Sequence, residues 1–414
     1  MQEPRTKKRE KSQISNLESQ ISKVGIIGSG TMGIGIAQVA ATSGCQVFLY
    51  DANIAQTEKS LENLQKVLAR LVEKQKITPE SSENIFRKIK PCTELSDFKN
   101  CDLVIEAIIE NKEIKTKVFQ QLEEIVSEKC IISSNTSSIS ITSLSSELKN
   151  PARFIGIHFF NPAPLMPLVE VIPGLLTEEN LAQEIYVLME SWGKILVIAK
   201  DVPGFIVNRI ARPFYGEALR IVEENIATVE QVDEAMRSLG NFKMGPFELM
   251  DLIGIDINFS VTKTVYADYF FDPKYKPSLL QQRMAEAKLL GRKTGKGFYD
   301  YSEKTHDART KSQEIKDVEQ NSEKTVELHR KIFMRIISML VNEAVEAKRL
   351  GIANDEDLEL AMQKGVNYPK GLLAWGKEIG YQKISETLQN LYSEYQEERY
   401  RQSPLLKKMS LKFY

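Results

Sequence analysis

The chain has 414 residues, with 55 Lys+Arg against 56 Asp+Glu, 42% apolar residues and 27% charged ones. That is an ordinary composition for a soluble globular protein of two or three domains, and a balance near zero leaves no electrostatic footprint for nucleic acid. No run approaches the roughly 20 apolar residues that cross a bilayer, so neither nucleic acid nor a membrane is an expected partner.

The opening MQEPRTKKREKSQISNLESQ mixes charges without an apolar stretch. It predicts a polar tail over residues 1–20 rather than a secretory signal or an anchor. Cys45, Cys92, Cys101 and Cys130 show neither CxxC spacing nor a paired framework, and read as reduced core residues of a cytoplasmic protein. No His and Cys cluster has ligand spacing, so no metal is expected.

KVGIIG, from Lys23 to Gly28, is a β-branched run that leads into glycines and then into a helical run from Met32 to Thr42. QVFLYD (Gln46 to Asp51) is a second strand. A long amphipathic helix from Ile54 to about Lys76 carries Leu61, Leu64, Leu68 and Leu71 on one stripe. CDLVIEAI (Cys101 to Ile108) and CIISSNTSS (Cys130 to Ser138) repeat the strand-then-loop pattern. RFIGIHFF, LVEVI and KILVIA then extend the sheet to Ala199. Strands alternating with helices predict a parallel, doubly wound α/β sheet over residues 21–204.

GSGTMG, which is Gly28, Ser29, Gly30, Thr31, Met32 and Gly33, fits G-x-G-x-x-G. Alone the pattern is weak, and a mononucleotide site or a structural turn would also satisfy it. The preceding strand, the following helix and Asp51 at the end of the next strand point to a dinucleotide. The first glycine permits the tight turn, the second lets the backbone approach a pyrophosphate, and the third lets helix and strand pack closely. Asp51 can accept hydrogen bonds from an adenosine ribose and would repel a 2′-phosphate, which favours NAD over NADP.

Only three histidines occur. His306 and His329 lie in highly charged stretches, whereas His158 sits between an apolar run and a turn marked by Asn161-Pro162. Further along, Glu170 interrupts the apolar run LVEVI. Oxidising a secondary alcohol needs a base for the hydroxyl proton while hydride leaves the same carbon, and imidazole, with an unperturbed pKa of about 6.5, suits that task. A carboxylate on the other ring nitrogen fixes the tautomer and stabilises the imidazolium. On these two residues alone, a core histidine and a surface carboxylate is the commoner arrangement. Both readings stand at this point.

After KDVPGF the pattern turns helical, and GRKTGKGFYDY closes a first helical domain over residues 205–301. Residues 302–328 are charged and poorly periodic and read as a linker. A second helical domain over 329–414 repeats the first. Glu217-Ala218 matches Glu343-Ala344, Ala235-Met236 matches Ala361-Met362, Gly245 matches Gly371, Ile253-Gly254 matches Ile379-Gly380, and Leu279-Leu280 matches Leu405-Leu406. Every pair is 126 apart (371 − 245), which predicts a duplication without insertion from Glu217 to Leu280.

The ordered set GSGTMG with Asp51, EAIIENKEIK, SSNTSS, HFFNPAPLMPLVEVI, KDVPGFIVNRI, MGPFELMDLIG and GRKTGKGFYDY resembles the L-3-hydroxyacyl-CoA dehydrogenase family, from Lys23 nearly to the end. The resemblance implies a Rossmann-like NAD-binding domain followed by two tandem all-helical domains, and NAD-dependent oxidation of a short-chain 3-hydroxyacyl-CoA. It makes His158 the base and Glu170 its partner. Ser137 and Asn208 become hydrogen-bond donors to the substrate's reacting oxygens. It also places Glu110 and Lys115 near the nicotinamide, Lys293 in cofactor contact, and Lys74 on the CoA. Taken alone, Ser137 could cap a helix, Asn208 could be an ordinary exposed amide, and Lys74, Lys115 and Lys293 could be solvated surface. Val67 stands where some members carry a serine, so the CoA contact is only partly matched.

Met334 stands where the first copy has Asn208 (334 − 208 = 126), so the second copy lacks the catalytic amide. The resemblance gives that copy the place of a partner subunit's helical domain, which allows a monomer and leaves further association open. A dehydrogenase of a free hydroxy acid on the same fold, or a non-catalytic NAD-binding structural protein, are the rival readings.

Overall fold

A computed structural model describes residues 21–302 and 323–411. The tail over 1–20, His306 and most of the expected linker lie outside the described residues. The chain forms two compact units, divided between Phe205 and Ile206.

The first unit is an eight-stranded sheet. Its elements run β1 (Lys23–Ile27), α1 (Thr31–Thr42), β2 (Gln46–Tyr50), α2 (Ile54–Glu73), α3 (Pro79–Lys88), β3 (Ile89–Cys92), β4 (Leu103–Glu106), α4 (Lys112–Glu123), β5 (Ile131–Ser134), α5 (Ile141–Ser145), β6 (Phe154–Phe159), β7 (Leu168–Pro173), α6 (Leu181–Ser191) and β8 (Ile195–Ile198). Strand order is β3-β2-β1-β4-β5-β6-β7-β8. The central strands β4, β5 and β6 are buried along their whole length, as expected of strands covered on both faces.

Two features depart from the expected sheet. β7 runs antiparallel to β6, because the turn from Phe160 to Pro167 is too short for the crossover of a dozen or more residues that parallel pairing needs. α3 and β3 are not apparent in the sequence pattern. β3 is the edge strand IKPC, whose Pro91 cannot donate to a ladder and is tolerated only at an edge. On α2, Leu64 and Leu68 are buried against the sheet while Leu61 and Leu71 border that core. Each fully buried leucine contributes roughly 1.5–3 kcal/mol. The four cysteines are buried free thiols.

The second unit holds both helical copies. The first comprises α7 (Val207–Ile210), α8 (Arg212–Glu223), α9 (Val229–Gly240), α10 (Pro246–Ile253), α11 (Ile255–Asp268) and α12 (Leu279–Glu286). The second comprises α13 (Glu323–Arg349), α14 (Asp355–Gly365), α15 (Leu372–Ile379), α16 (Tyr381–Tyr395) and α17 (Pro404–Leu411). α13 therefore begins inside the stretch expected as linker. It is continuous where the first copy breaks between α7 and α8 ahead of Pro213, whose counterpart is Met339 (339 − 213 = 126). Proline has no amide to donate and crowds the preceding turn, so the break follows from it.

The copies repeat detailed contacts. Thr228 caps α9 and Asn354 caps α14. Asp233 accepts from the amides of Phe247 and Glu248 at 2.9 and 3.0 Å, and Glu359 accepts from those of Leu373 and Ala374 at 2.7 and 2.9 Å. The register is not constant throughout, contrary to expectation. Phe270 and Gln396 share a left-handed φ of 52° and are still 126 apart, but Phe271, with φ 62°, has no counterpart. Ser278 ahead of α12 then matches Ser403 ahead of α17 (403 − 278 = 125), so Leu280 corresponds to Leu405 and Gln281 to Leu406.

Buried ion pairs join the copies reciprocally. Arg209 Nε donates to Glu343 Oε1 at 2.6 Å, and Arg335 Nε donates to Glu217 Oε2 at 2.9 Å. Tyr275 donates to Glu343 at 2.7 Å and Tyr400 to Glu217 at 3.0 Å. Both arginines and both glutamates are 126 apart, so each copy offers the other the same contacts. No helix among the described residues is long and apolar enough to cross a membrane.

Candidate active site

Apart from Lys74, the expected site residues of the first unit gather toward the carboxyl ends of its parallel strands, where open α/β sheets bind ligands. The chain leaves β1 at Gly28, whose amide donates to Tyr50 O at 2.8 Å, and β4 ends beside it, with Ala107 N donating to Ile27 O at 2.7 Å. Asn135 N donates to Glu106 O at 2.7 Å, and Asn135 Oδ1 accepts from Phe159 N at 2.7 Å, which ties the loop after β5 to the end of β6.

The glycine loop has the three properties a dinucleotide requires. Gly28 adopts φ +100°, and a Cβ there would lie 2.6 Å from Ala107 O. A Cβ on Gly33 would lie 1.8 Å from Gly28 O, so α1 packs directly on the loop. A Cβ on Gly30 would meet nothing within 4 Å, which leaves the backbone open on the ligand side. Ser29 is buried, and its amide and hydroxyl donate to Asp51 Oδ2 at 2.7 and 3.0 Å. Asp51 Oδ1 accepts from Asn53 N at 2.9 Å. A carboxylate has about four acceptor positions, so Asp51 is oriented yet retains capacity for ribose hydroxyls. Thr31 and Met32 open α1, whose first amides face the loop. The residues present fit NAD.

His158 and Glu170 are directly paired across the antiparallel β6–β7 ladder. His158 Nδ1 lies 2.7 Å from Glu170 Oε2, with His158 5% and Glu170 0% exposed. The surface-carboxylate alternative for Glu170 is therefore removed. Phe160 and Phe205 flank the imidazole, with ring centroids at 4.6 and 5.8 Å. Lys194 Nζ donates to Ala163 O at 2.5 Å and Met166 O at 3.0 Å, holding the turn between the two strands, and burial pushes its ammonium below the usual lysine range.

Glu110 organises the Ser137 loop. Its Oε1 accepts from Thr136 Oγ1 at 2.6 Å and from the amides of Ser137 and Ser138 at 2.9 and 3.2 Å, while Ser137 Oγ lies within 3.3 Å. Lys115 Nζ contacts Glu110 Oε2 at 3.3 Å and Glu106 Oε1 at 2.6 Å. Burial alone would raise the Glu110 carboxyl, but the Lys115 charge and these hydrogen bonds hold it below the usual carboxylate range. Burial raises Glu106, only partly offset by Lys115. Lys115 is 1% exposed and thus not solvated helix surface. Glu106 belongs to this buried cluster but is not among the expected residues, although it opens EAIIENKEIK and interrupts the apolar run LVIEAI just as Glu170 interrupts LVEVI.

The remaining candidates lie apart from this cluster in sequence and element. Lys74 is exposed at the C-terminal end of α2. Asn208 is half-buried on α7, and Lys293 pairs with Asp256 at 2.5 Å, both in the second unit. Among the described residues no group of three or more His, Cys, Asp or Glu is arranged to hold a metal ion.

The chain is similar to known proteins over most of its length. The family model described as 3-hydroxyacyl-CoA dehydrogenase, NAD binding domain, matches residues 23–202, and its C-terminal domain model matches 204–301 and 332–412. The chain is 36% identical to 3-hydroxyadipyl-CoA dehydrogenase of Escherichia coli, covering 94% of this chain and 98% of the relative. It is 41% identical to 3-hydroxybutyryl-CoA dehydrogenase of Bradyrhizobium diazoefficiens, over 68% of this chain and 96% of the relative. The crystal structure of 3-hydroxybutyryl-CoA dehydrogenase from Escherichia coli K12 superposes with a TM-score of 0.86 at 35% identity, covering 94% and 98% of the two chains.

Proposed function

The chain belongs to the 3-hydroxyacyl-CoA dehydrogenase family of NAD-dependent oxidoreductases, and from that premise we propose that it interconverts a short-chain (S)-3-hydroxyacyl-CoA, such as 3-hydroxybutyryl-CoA, and its 3-ketoacyl-CoA, with His158 as the acid–base group. The observation that carries the assignment of the base is the buried 2.7 Å contact between His158 Nδ1 and Glu170, in register on adjacent strands.

NAD, when bound, supplies the hydride acceptor. Gly28 to Gly33 cradle the pyrophosphate and Asp51 takes the ribose hydroxyls. Glu170 keeps the proton on Nδ1, which leaves Nε2 as the acceptor for the substrate's hydroxyl proton. Glu170 then stabilises the imidazolium, and in the reductive direction His158 returns the proton. Ser137 and Asn208 donate hydrogen bonds to the reacting oxygens, where charge develops. Glu110, backed by Lys115, fixes the Ser137 loop. Lys74 contacts CoA, and Lys293 the cofactor. The second helical copy covers the first, so that one chain supplies the helical pairing without a partner subunit.

A rate series with NADH over 3-ketoacyl-CoA chain lengths, including a chain ending in a carboxylate, tests the substrate. Acetoacetyl-CoA should be the most efficient. Faster turnover of free hydroxy acids than of CoA thioesters would transfer the chain to the rival dehydrogenase reading. Absence of turnover with every substrate would support the structural-protein reading.

A further inference from the structure

Arg212, in the first turn of α8, is 6% exposed and lies four residues after Asn208. Its Nε donates to the main-chain carbonyl of Asn208 at 2.7 Å, and its Nη1 donates to Thr262 Oγ1 at 3.0 Å and to Asn258 O at 3.4 Å. Asn258 Oδ1 accepts in turn from Gln281 Nε2 at 2.9 Å. All four side chains are buried, and no carboxylate among the described residues pairs with the guanidinium. A buried, connected polar network of this kind is a poor source of stability, since shape-matched apolar residues usually serve as well or better.

The duplication supplies an internal control. The counterparts of these residues in the second copy are Ser338 (338 − 212 = 126), Ile384 (384 − 258 = 126), Leu388 (388 − 262 = 126) and Leu406 (406 − 281 = 125). All four are fully buried. The same helical core thus packs with a largely apolar set where the donor position holds Met334, and carries the polar set where it holds Asn208. We infer that Arg212, Thr262, Asn258 and Gln281 form a positioning network for Asn208. Through Arg212 it clamps the α7–α8 junction, where the helix is broken, and so fixes the amide that addresses the substrate. This rests on the reading of Asn208 as a substrate donor.

The test is a fourfold variant of the full-length enzyme, Arg212→Met/Asn258→Leu/Thr262→Val/Gln281→Leu, measured alone and combined with Asn208→Ala. The expected result is an unchanged or higher melting temperature, unchanged NADH binding, and kcat/KM for acetoacetyl-CoA lowered at least about tenfold, since small misplacement of a reacting group is costly. In the Asn208→Ala background the same four changes should lower the rate less than about twofold, because the network acts through that residue. Thr262→Val alone, the mildest change, should show a smaller loss with the same non-additivity. Unfolding of the fourfold variant would make the network a stability element and overturn the inference. Losses that multiply with Asn208→Ala would do the same, as would full activity of the fourfold variant beside an impaired Asn208→Ala. Full activity of Asn208→Ala itself would instead remove the reading beneath it.

Discussion

His158–Glu170 in the nucleotide-binding unit and Arg209–Glu343 in the helical unit are both buried contacts under 3 Å, at 2.7 and 2.6 Å. They differ in what happens when the carboxylate is lost. Histidine can shed its charge within the physiological range, whereas arginine cannot be deprotonated in a protein. The first pair is therefore built on a residue type that can exchange a proton, as the proposed acid–base role requires. The second is fixed, and with its reciprocal Arg335–Glu217 it sets the register in which the copies meet. On the proposed mechanism, buried charge serves chemistry in the first unit, whereas in the second it joins the two helical copies.

The sharpest way to break this comparison is to remove one fixed partner. Glu343→Leu strands Arg209 and Lys274, which lies 3.6 Å from the same carboxylate. It should lower stability by about 3–5 kcal/mol in chemical denaturation, whereas Arg209→Met/Glu343→Leu together should recover most of that loss. If the double variant is as unstable as the single one, the pair contributes more than alignment.

On the adjustable side, His158→Gln should lower kcat at least about a hundredfold, close to 2.7 kcal/mol of barrier, while NADH binding and the unfolding midpoint stay nearly unchanged. Glu170→Gln should likewise leave stability almost intact, because histidine, unlike arginine, does not have to carry a charge. A large stability loss in either variant would show that the pair is structural after all.

A third case refines the contrast. Asp233 is a buried carboxyl held by two amides and the Tyr299 hydroxyl. Burial pushes it up to about 7, against these hydrogen bonds. The folded state then holds a proton that the unfolded chain has released between about pH 4 and 7. Stability from this group is greatest below that window and declines as pH rises through it, by roughly 1 kcal/mol per pH unit. Asp233→Asn should flatten that slope in melting temperatures recorded from pH 4.5 to 7.5. An unchanged slope would place the titration elsewhere. Smallest in energy is the cofactor preference: Asp51→Ser should weaken NAD discrimination against NADP by about tenfold, or about 1.4 kcal/mol, as the repulsive charge is lost.

Much of this architecture is legible in the sequence. The glycine loop and Asp51 declare themselves because a phosphate-binding turn demands particular residues at particular offsets. His158 and Glu170 become legible as a pair only beside the other motifs, because alone they also fit a core histidine and a surface carboxylate; the short turn then sets them opposite each other. The reversal of β7 follows from that same turn, yet the alternation of strands and helices suggests a parallel sheet throughout. Glu106 escapes notice because a carboxylate whose partner sits on the next helix looks, in sequence, like an interruption of a strand. Lys115 shares a helical face with the buried Phe119 and Leu122, a signal that its charged neighbours obscure. The absence of a counterpart to Phe271 is hidden because leucines at 279–280 and 405–406 align by composition rather than by position.

The reciprocal contacts between the helical copies also have a consequence in mass action. Two separate chains that met through Arg209–Glu343 and Arg335–Glu217 would part on dilution, and their stability would depend on protein concentration. Here both halves of that interface belong to one polypeptide, so the local concentration of each for the other is set by the covalent connection. The melting temperature of the helical unit should stay constant over a hundredfold dilution. Since each half is encoded separately, one could also keep the asparagine that the other replaced with Met334, a divergence that identical subunits could not make.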